Sequence, residues 1–378
     1  MKTVLITGSD GFVGKNLRVT LQHREDLRLL FFDIQDDPAK LAGLLEQADF
    51  VFHLAGVNRP ENPEEFRSGN TMLTEQICHH LLQGGRKVPL AITSSTQAAL
   101  DNPYGVSKRE AENAVFSYGQ RAGASVYIFR LPNVFGKWCR PNYNSVVATF
   151  CHHIANNLPI QVNDPSVVMR LVYIDDVVGA FVDLIDGRAS VQDEGFCIVQ
   201  PTHVMKLGEI AELIRSFHLS REQRSIPDMS DLLVKKMYST YLSYLPTDSF
   251  SYPLQMNIDQ RGSFTEFIKT ADRGQVSINI SKPCITKGNH WHHTKNEKFL
   301  VVSGQGVISF RRIGSDEIID YHVSGDRLEV VDIPTGYTHN IRNAGFTDLV
   351  TVMWCNEMFD AEKPDTFFEP VKPVKGGQ

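Results

Sequence analysis

Two stretches of the chain set chemically active side chains at fixed spacing. Tyr104-Gly-Val-Ser-Lys108 places a phenol and an ammonium four residues apart, on one face of a helix. A cation beside a phenol favours phenolate, so Lys108 is expected to lower Tyr104 from its ordinary value near 10 toward working pH. Tyr104 then acts as a general acid, giving its proton to a carbonyl oxygen as hydride reaches the carbon. Ser95, in Thr93-Ser94-Ser95-Thr96 at the end of the preceding strand, hydrogen-bonds the same carbonyl. Only nine positions separate Ser95 from Tyr104, which keeps Ser94 and Thr96 open in its place. The second stretch, Gly288-Asn-His290-Trp-His292-His293, puts His290 and His292 two apart, hence on one face of a strand.

Hydride chemistry needs a donor, and the amino terminus holds a place for one. Thr7-Gly8-Ser9-Asp10-Gly11-Phe12-Val13-Gly14 follows a first apolar strand, and a helix opens at Lys15. Glycines 8, 11 and 14 permit a sharp turn, close approach to a pyrophosphate and helix-on-strand packing, with the helix N–H groups facing the charge. Lys108 would hold the nicotinamide ribose. Asp33 stands 19 residues past Gly14 at the end of the second strand, where a carboxylate binds the adenosine ribose and repels a 2′-phosphate. That favours NADH, while Ser9 and Lys15 still allow a phosphate.

The elements that position these groups change character along the chain. Apolar runs at 4–6, 29–32, 50–54, 90–93 and 126–130 alternate with helical patterns such as 15–22 and 70–82, which predicts a parallel, doubly wound α/β sheet. After about residue 256 the texture becomes seven short β segments, 264–269, 275–280, 298–302, 307–312, 318–323, 328–333 and 349–354, as an all-β barrel or sandwich requires. The aromatic-rich join at 238–253 is read as packed against a domain or a second subunit, or as core filling. Residues 371–378 are expected to fray.

Composition bounds the function. A hydrophobic share of 42% with 27 glycines among 378 residues excludes a disordered or fibrous chain. The balance of 38 basic against 44 acidic residues, net −6, with no run of like charge, argues against nucleic-acid and anionic-membrane partners. No apolar run approaches the roughly 20 residues that span a bilayer, and the amino terminus is too short before its first glycine for a signal peptide. Six cysteines without a CxxC pair suit reduced thiols, so a cytoplasmic protein is expected.

The GxxGxxG spacing and the YxxxK pair resemble the extended short-chain dehydrogenase/reductase family, a Rossmann α/β fold. The resemblance assigns His53-Leu54-Ala55-Gly56 to the cofactor lining, with Phe12 and Val13 beside the glycines. It places Asn133, in Arg130-Leu-Pro-Asn133-Val-Phe-Gly136, and Arg170, in Arg170-Leu-Val-Tyr173-Ile-Asp175-Asp176, at a nucleotide-sugar site. A guanidinium meets phosphate bidentately, although Arg170 taken alone also suits a structural salt bridge. Lys108, Arg130, Arg170 and the helix start after Gly14 are expected to supply the positive charge such ligands need.

Downstream, Gly288 to Gly304 and Gly325 with Pro334-Thr-Gly336-Tyr-Thr-His339 match the two cupin motifs. That match makes His290, His292, Glu297 and His339 a set of three nitrogens and one oxygen for a divalent metal, zinc first, with nickel, iron and manganese open. His293 points to the opposite face and reads as a surface histidine. The stretches 135–145, 238–246 and 288–304 make the whole chain resemble the reductase–cupin fusions of capsular polysaccharide biosynthesis. The resemblance implies domains at 1–245 and 246–378. The cupin would epimerise C3 of UDP-2-acetamido-2,6-dideoxy-4-hexulose. The reductase would then reduce C4 with NADPH, giving UDP-2-acetamido-2,6-dideoxy-L-talose on the way to UDP-N-acetyl-L-fucosamine. NADPH is placed first although Asp33 favours NADH, and a homodimer or homotetramer is expected. The alternative of another class is a dinucleotide-sensing regulator whose cupin is an effector or dimerisation module.

Overall fold

Residues 4–6 show how the first sheet is built, since Val4 and Ile6 turn to one face and Leu5 to the other, and all three are fully buried in the computed structural model. The structure describes residues 1–188, 192–193 and 195–372; of the tail expected to fray, residues 373–378 lie outside them. By their contacts the residues form two units, Met1–Arg215 with Ser230–Pro246, and Ser216–Met229 with Thr247–Gln378.

In the first unit, β1 (Lys2–Thr7), β2 (Leu27–Phe32), β3 (Phe50–His53), β4 (Leu90–Ser95) and β5 (Val126–Leu131) pair in parallel in the order β2-β1-β3-β4-β5. Helices cover both faces. Leu17 and Leu21 of Phe12–Leu21 and Phe181 of Ile174–Ile185 pack on Val4, Ile6, Phe50 and Phe52. Ile77 and Leu81 of Leu73–Gln83 and Val115 of Pro103–Ala122 pack on Leu5, Val51 and Ile128. With no face left to solvent, the strands read as continuous apolar runs. The chain leaves β1 for β2 on one side and reaches β3 on the other, so the glycine loop after β1 sits where doubly wound sheets open their ligand crevice.

A second, three-stranded sheet pairs Asn133–Phe135, Val168–Tyr173 and Thr202–Lys206. The aromatic join divides into two kinds of segment. Tyr241 is buried within the helix Leu232–Leu242 and the Tyr244 hydroxyl donates to the Cys139 carbonyl at 2.5 Å, whereas Phe250 and Tyr252 are exposed.

The named strands of the second unit all pair antiparallel, and one isolated parallel bridge joins Ser225 to Lys269. One sheet runs Asn257–Asp259, Gly262–Thr270, Gly274–Ser281, Leu349–Cys355, Glu297–Ser303, Val330–Ile333, and the other Ile318–Ser324, Gln305–Arg312, Tyr337–Asn343, Thr286–Trp291, Phe367–Phe368. Phe299, Val301, Ile308, Phe310, Ile341 and Leu349 form its core. Four of its strands, Asn257–Asp259, Thr286–Trp291, Tyr337–Asn343 and Phe367–Phe368, fall outside the apolar segments read in the sequence. Thr286–Trp291 has no fully buried residue, and Tyr337–Asn343 buries Thr338, His339 and Asn343 beside a single apolar residue, Ile341.

Candidate functional site

The glycine loop is built by contacts that tolerate no side chain. At Gly8, whose φ is +68°, a Cβ would lie 2.6 Å from the Ala55 nitrogen, and at Gly14 one would lie 2.0 Å from the Gly8 carbonyl oxygen. Loop, helix start and the end of β3 are therefore pressed together, with Gly11 capping the helix that Phe12 and Val13 begin. This cradle fits a pyrophosphate held by backbone N–H groups. Asp33 closes its far side: its carboxylate accepts N–H bonds from Asp10 and Ile34, both at 2.8 Å.

Contacts run from this loop to the proposed acid. Beyond Ala55, a Cβ on Gly56 would lie 3.0 Å from the Lys108 ammonium, which donates to the Thr93 carbonyl at 3.2 Å. Lys108 Nζ stands 6.0 Å from the centre of the Tyr104 ring, and Ser95 is close enough to the Tyr104 hydroxyl to counter part of the effect of burial on it. The structure thus gathers Gly8, Leu54-Ala55-Gly56, Lys108, Tyr104 and Ser95 along one wall. Ser94 points elsewhere, donating to Glu112 at 2.5 Å.

The short passage from Ser95 to Tyr104 works because the helix Pro103–Ala122 starts tightly. Asn102 caps it by accepting the Gly105 N–H at 2.8 Å, and Pro103 needs no donor there. Gly105 lets the preceding turn lie on the helix, since a Cβ would fall 2.3 Å from the Gln97 carbonyl oxygen.

Two electrostatic expectations change. Burial holds the Tyr104 phenol above its ordinary value, only partly offset by Ser95, and burial also pushes Lys108 down to about 8 against the pull of Glu112. Burial, not Lys108, sets the direction at Tyr104, and a phenol held above its ordinary value stays protonated, the form a proton donor needs. Arg130 is likewise not available to a phosphate. Its guanidinium grips Glu112 at 2.9 and 2.6 Å, with the carboxylate 2% exposed. Glu112 is the residue that motif reading missed, and its place four residues past Lys108, on the same helix face, was the available signal.

His53 is buried between Thr7 and Thr74, 2.7 and 2.9 Å from their hydroxyls, and burial with the nearby Lys108 charge pushes it down to about 3. It is a neutral strut under the loop. The helix expected from residue 70 begins as a π turn, Arg67–Met72, before Leu73–Gln83. Within that turn Asn70 ties Val57 to Ser107, next to Lys108. Asn133 and Arg170 lie side by side on the separate three-stranded sheet, Asn133 donating to the Arg170 carbonyl at 3.1 Å. The Arg170 side chain is exposed and has no carboxylate partner among the described residues.

In the second unit, the ligand atoms of His290, His292, Glu297 and His339 lie within 4.8 Å of one another. His290 sits opposite His339 in the ladder, after a bulge at Asn289, whose φ is +63°. Asn340 and the Val371 N–H both donate to the Asn289 side-chain oxygen and pin that bulge. His292 donates from Nδ1 to the Asp365 carbonyl at 2.6 Å, which turns Nε2 toward Glu297. The Asp365 carboxylate accepts the N–H groups of His293, Thr294 and Lys295 and fixes the loop between His292 and Glu297.

Nε2 of His292, Oε2 of Glu297 and both ring nitrogens of His339 are buried without a hydrogen-bond partner. Converging, desolvated acceptors of this kind fit a cation. Burial pushes His290 down to about 4; Glu297, which burial alone would raise, is held well below the usual carboxylate range by the two imidazoles. His293 is exposed, with its ring against Trp291 and Phe367. The cluster opens on a cavity of about 590 Å³.

Known proteins match both halves. Residues 4–198 match the NAD dependent epimerase/dehydratase family, and residues 257–367 the polysaccharide biosynthesis C-terminal domain. The chain is 47% identical over 364 residues to UDP-2-acetamido-2,6-beta-L-arabino-hexul-4-ose reductase of Pseudomonas aeruginosa, covering 96% of this chain and 97% of that one. The capsular polysaccharide assembling protein CapF of Staphylococcus aureus superposes with a TM-score of 0.92 at 55% identity, over 97% of this chain and 100% of its own. A UDP-glucuronic acid 4-epimerase of Bacillus cereus shares the fold, with a TM-score of 0.51 at 16% identity over 64% of this chain and 98% of that one. The chain accordingly belongs to the same two-part family as CapF and the arabino-hexulose reductase, an NAD dependent epimerase/dehydratase unit followed by a polysaccharide biosynthesis C-terminal domain.

Proposed function

We propose that the chain is a bifunctional nucleotide-sugar enzyme of capsular polysaccharide biosynthesis. The cupin unit epimerises C3 of UDP-2-acetamido-2,6-dideoxy-4-hexulose, and the reductase unit reduces C4 to UDP-2-acetamido-2,6-dideoxy-L-talose. One observation carries the reading: Ser95, Tyr104 and Lys108 stand together beside the glycine cradle in a chain that matches a named UDP-sugar reductase nearly end to end. The reductase is assigned to 1–245 and the cupin to 246–378, except that residues 216–229, Arg224 among them, go with the cupin by their contacts.

The order of steps follows from acidity. A C4 ketone acidifies the C3 hydrogen, so inversion at C3 must precede the reduction that removes the ketone. A divalent cation, zinc first, held by His290, His292, Glu297 and His339 would supply positive charge toward an enolate oxygen. When bound, the nicotinamide supplies hydride to C4. Ser95 orients the C4 oxygen, Tyr104 gives it the phenol proton, and solvent returns that proton to Tyr104. Lys108 holds the ribose, while Asn133 and Arg170 hold the nucleotide-sugar.

NADPH is the proposed donor. Both Asp33 oxygens already accept backbone N–H groups, which supports a carboxylate that braces the loop rather than one reserved for a ribose. No helix among the described residues is long and apolar enough to cross a membrane, and a cytoplasmic homodimer or homotetramer is proposed. A sensing regulator would have no use for a proton donor set beside Ser95 and Lys108.

The test is Tyr104→Phe with the UDP-4-keto sugar. NADPH oxidation should fall by about 10²–10⁴-fold, while solvent deuterium still enters C3. Loss of both signals in a folded variant, or of neither, refutes the division of labour.

A further inference from the structure

A second cavity of about 590 Å³ lies in the carboxy-terminal unit, within the roughly 300–1,000 Å³ usual for small-molecule sites. It meets the histidine-lined cavity at Glu297, Asn257 and Phe264, which line both. Its own walls bring Arg224, Lys269 and Lys295 together with Glu266 and Glu357.

The two nearest cations are fixed side by side. The Lys269 N–H donates to the Arg224 carbonyl at 2.8 Å, and both side chains reach the same Glu266 oxygen, at 3.2 Å from Arg224 and 2.8 Å from Lys269. The cavity wall carries three cations, Arg224, Lys269 and Lys295, and three carboxylates, Glu266, Glu297 and Glu357; with the Glu297 charge given to the histidine cluster, one positive charge is left over. Lys295 is one of the three cations, and its ammonium meets only the Pro364 carbonyl and the Thr366 hydroxyl. Arg224 takes φ +59° as the left-handed residue that ends the helix Leu207–Gln223, with the Ser225 N–H donating back to the Ser220 carbonyl at 2.8 Å. Its Nε is buried with no acceptor, a donor left over beside the cavity.

We propose that this cavity is a diphosphate subsite, in which Arg224 and Lys269 take the charges of a nucleoside diphosphate whose sugar reaches the histidine cluster. The inference rests on the epimerase reading above and locates its substrate. A guanidinium and an ammonium a few ångströms apart match adjacent phosphates, and displacement of Glu266 from one of them costs little while the other still holds it.

The test follows deuterium entry at C3 of the UDP-4-keto sugar without NADPH, a readout confined to the cupin. Arg224→Gln and Lys269→Gln should each raise KM about tenfold with kcat nearly unchanged, as expected for losing one charge-assisted contact. Added UDP should inhibit exchange less by the same factor, and Arg224→Lys should recover part of the loss. NADPH binding, measured by fluorescence, should not change. Unaltered KM and UDP inhibition in the folded Lys269→Gln protein overturn the subsite while leaving the epimerase reading intact. Absence of exchange in the wild type overturns both.

Discussion

Replacing Glu112 with Gln probes the ion pair that the helix carrying Tyr104 and Lys108 makes with Arg130. The carboxylate is 2% exposed and engaged by Arg130 at 2.9 and 2.6 Å and by Ser94 at 2.5 Å. Glutamine keeps the shape and still accepts from Ser94, yet leaves the guanidinium facing a neutral amide. Removing one partner of a buried pair costs ~3–5 kcal/mol. The Arg130 side chain retains 28% exposure, so water recovers part of that and about 2–3 kcal/mol is expected. For a unit of this size the melting temperature should drop roughly 5–10 °C.

The same change has a kinetic signature. The Glu112 charge opposes the desolvation that brings Lys108 to about 8. Without it Lys108 falls further, and because the ammonium exists only below its pKa, the alkaline limb of the reduction profile moves to lower pH. Melting curves and kcat/KM across pH measure both effects. A drop in melting temperature under about 2 °C together with an unmoved alkaline limb would refute the reasoning.

Three further outcomes are expected. Gly14→Ala, whose Cβ would fall 2.0 Å from the Gly8 oxygen, should raise KM for NADPH more than about tenfold, and fluorescence titration of the dinucleotide checks it. His53 is neutral down to about 3 when folded but titrates near 6.5 when unfolded. The unfolded chain therefore binds the extra proton between those values, and stability should fall with pH across that window by up to ~1.4 kcal/mol per unit. His53→Gln should flatten that slope in denaturant titrations at pH 4 to 7. Dialysis against a chelator should release about one divalent ion per chain and lower the melting temperature of the second unit. Retention of both ion and stability in His339→Ala would contradict the proposed ligand set.

What could be read in the chain was local. Glycines 8, 11 and 14, and Tyr104 with Lys108, belong to single turns whose geometry follows from spacing. Residues 4–6 announce a strand because both sheet faces are covered. The Glu112–Arg130 pair joins residues 18 apart across a helix and a strand, and nothing in either segment shows that Arg130 is already occupied. The direction of the Tyr104 shift depends on how much protein surrounds the phenol, which spacing does not encode. The strands Thr286–Trp291 and Tyr337–Asn343 escaped the apolar pattern because polar side chains, His290 and His339 among them, interrupt it. The grouping of residues 216–229 with the second unit is a long-range contact of the same illegible kind.

Asp365 and Val371 hold the loop and the bulge that aim His292 and His290, although the ligands themselves come from residues 290–339. During synthesis the cradle at Gly8 is complete long before the chain ends, but the histidine cluster must wait for its last anchors to leave the ribosome. A premature stop near residue 360 would thus spare all four proposed metal ligands and still yield a protein with an intact reductase and a disordered histidine cluster.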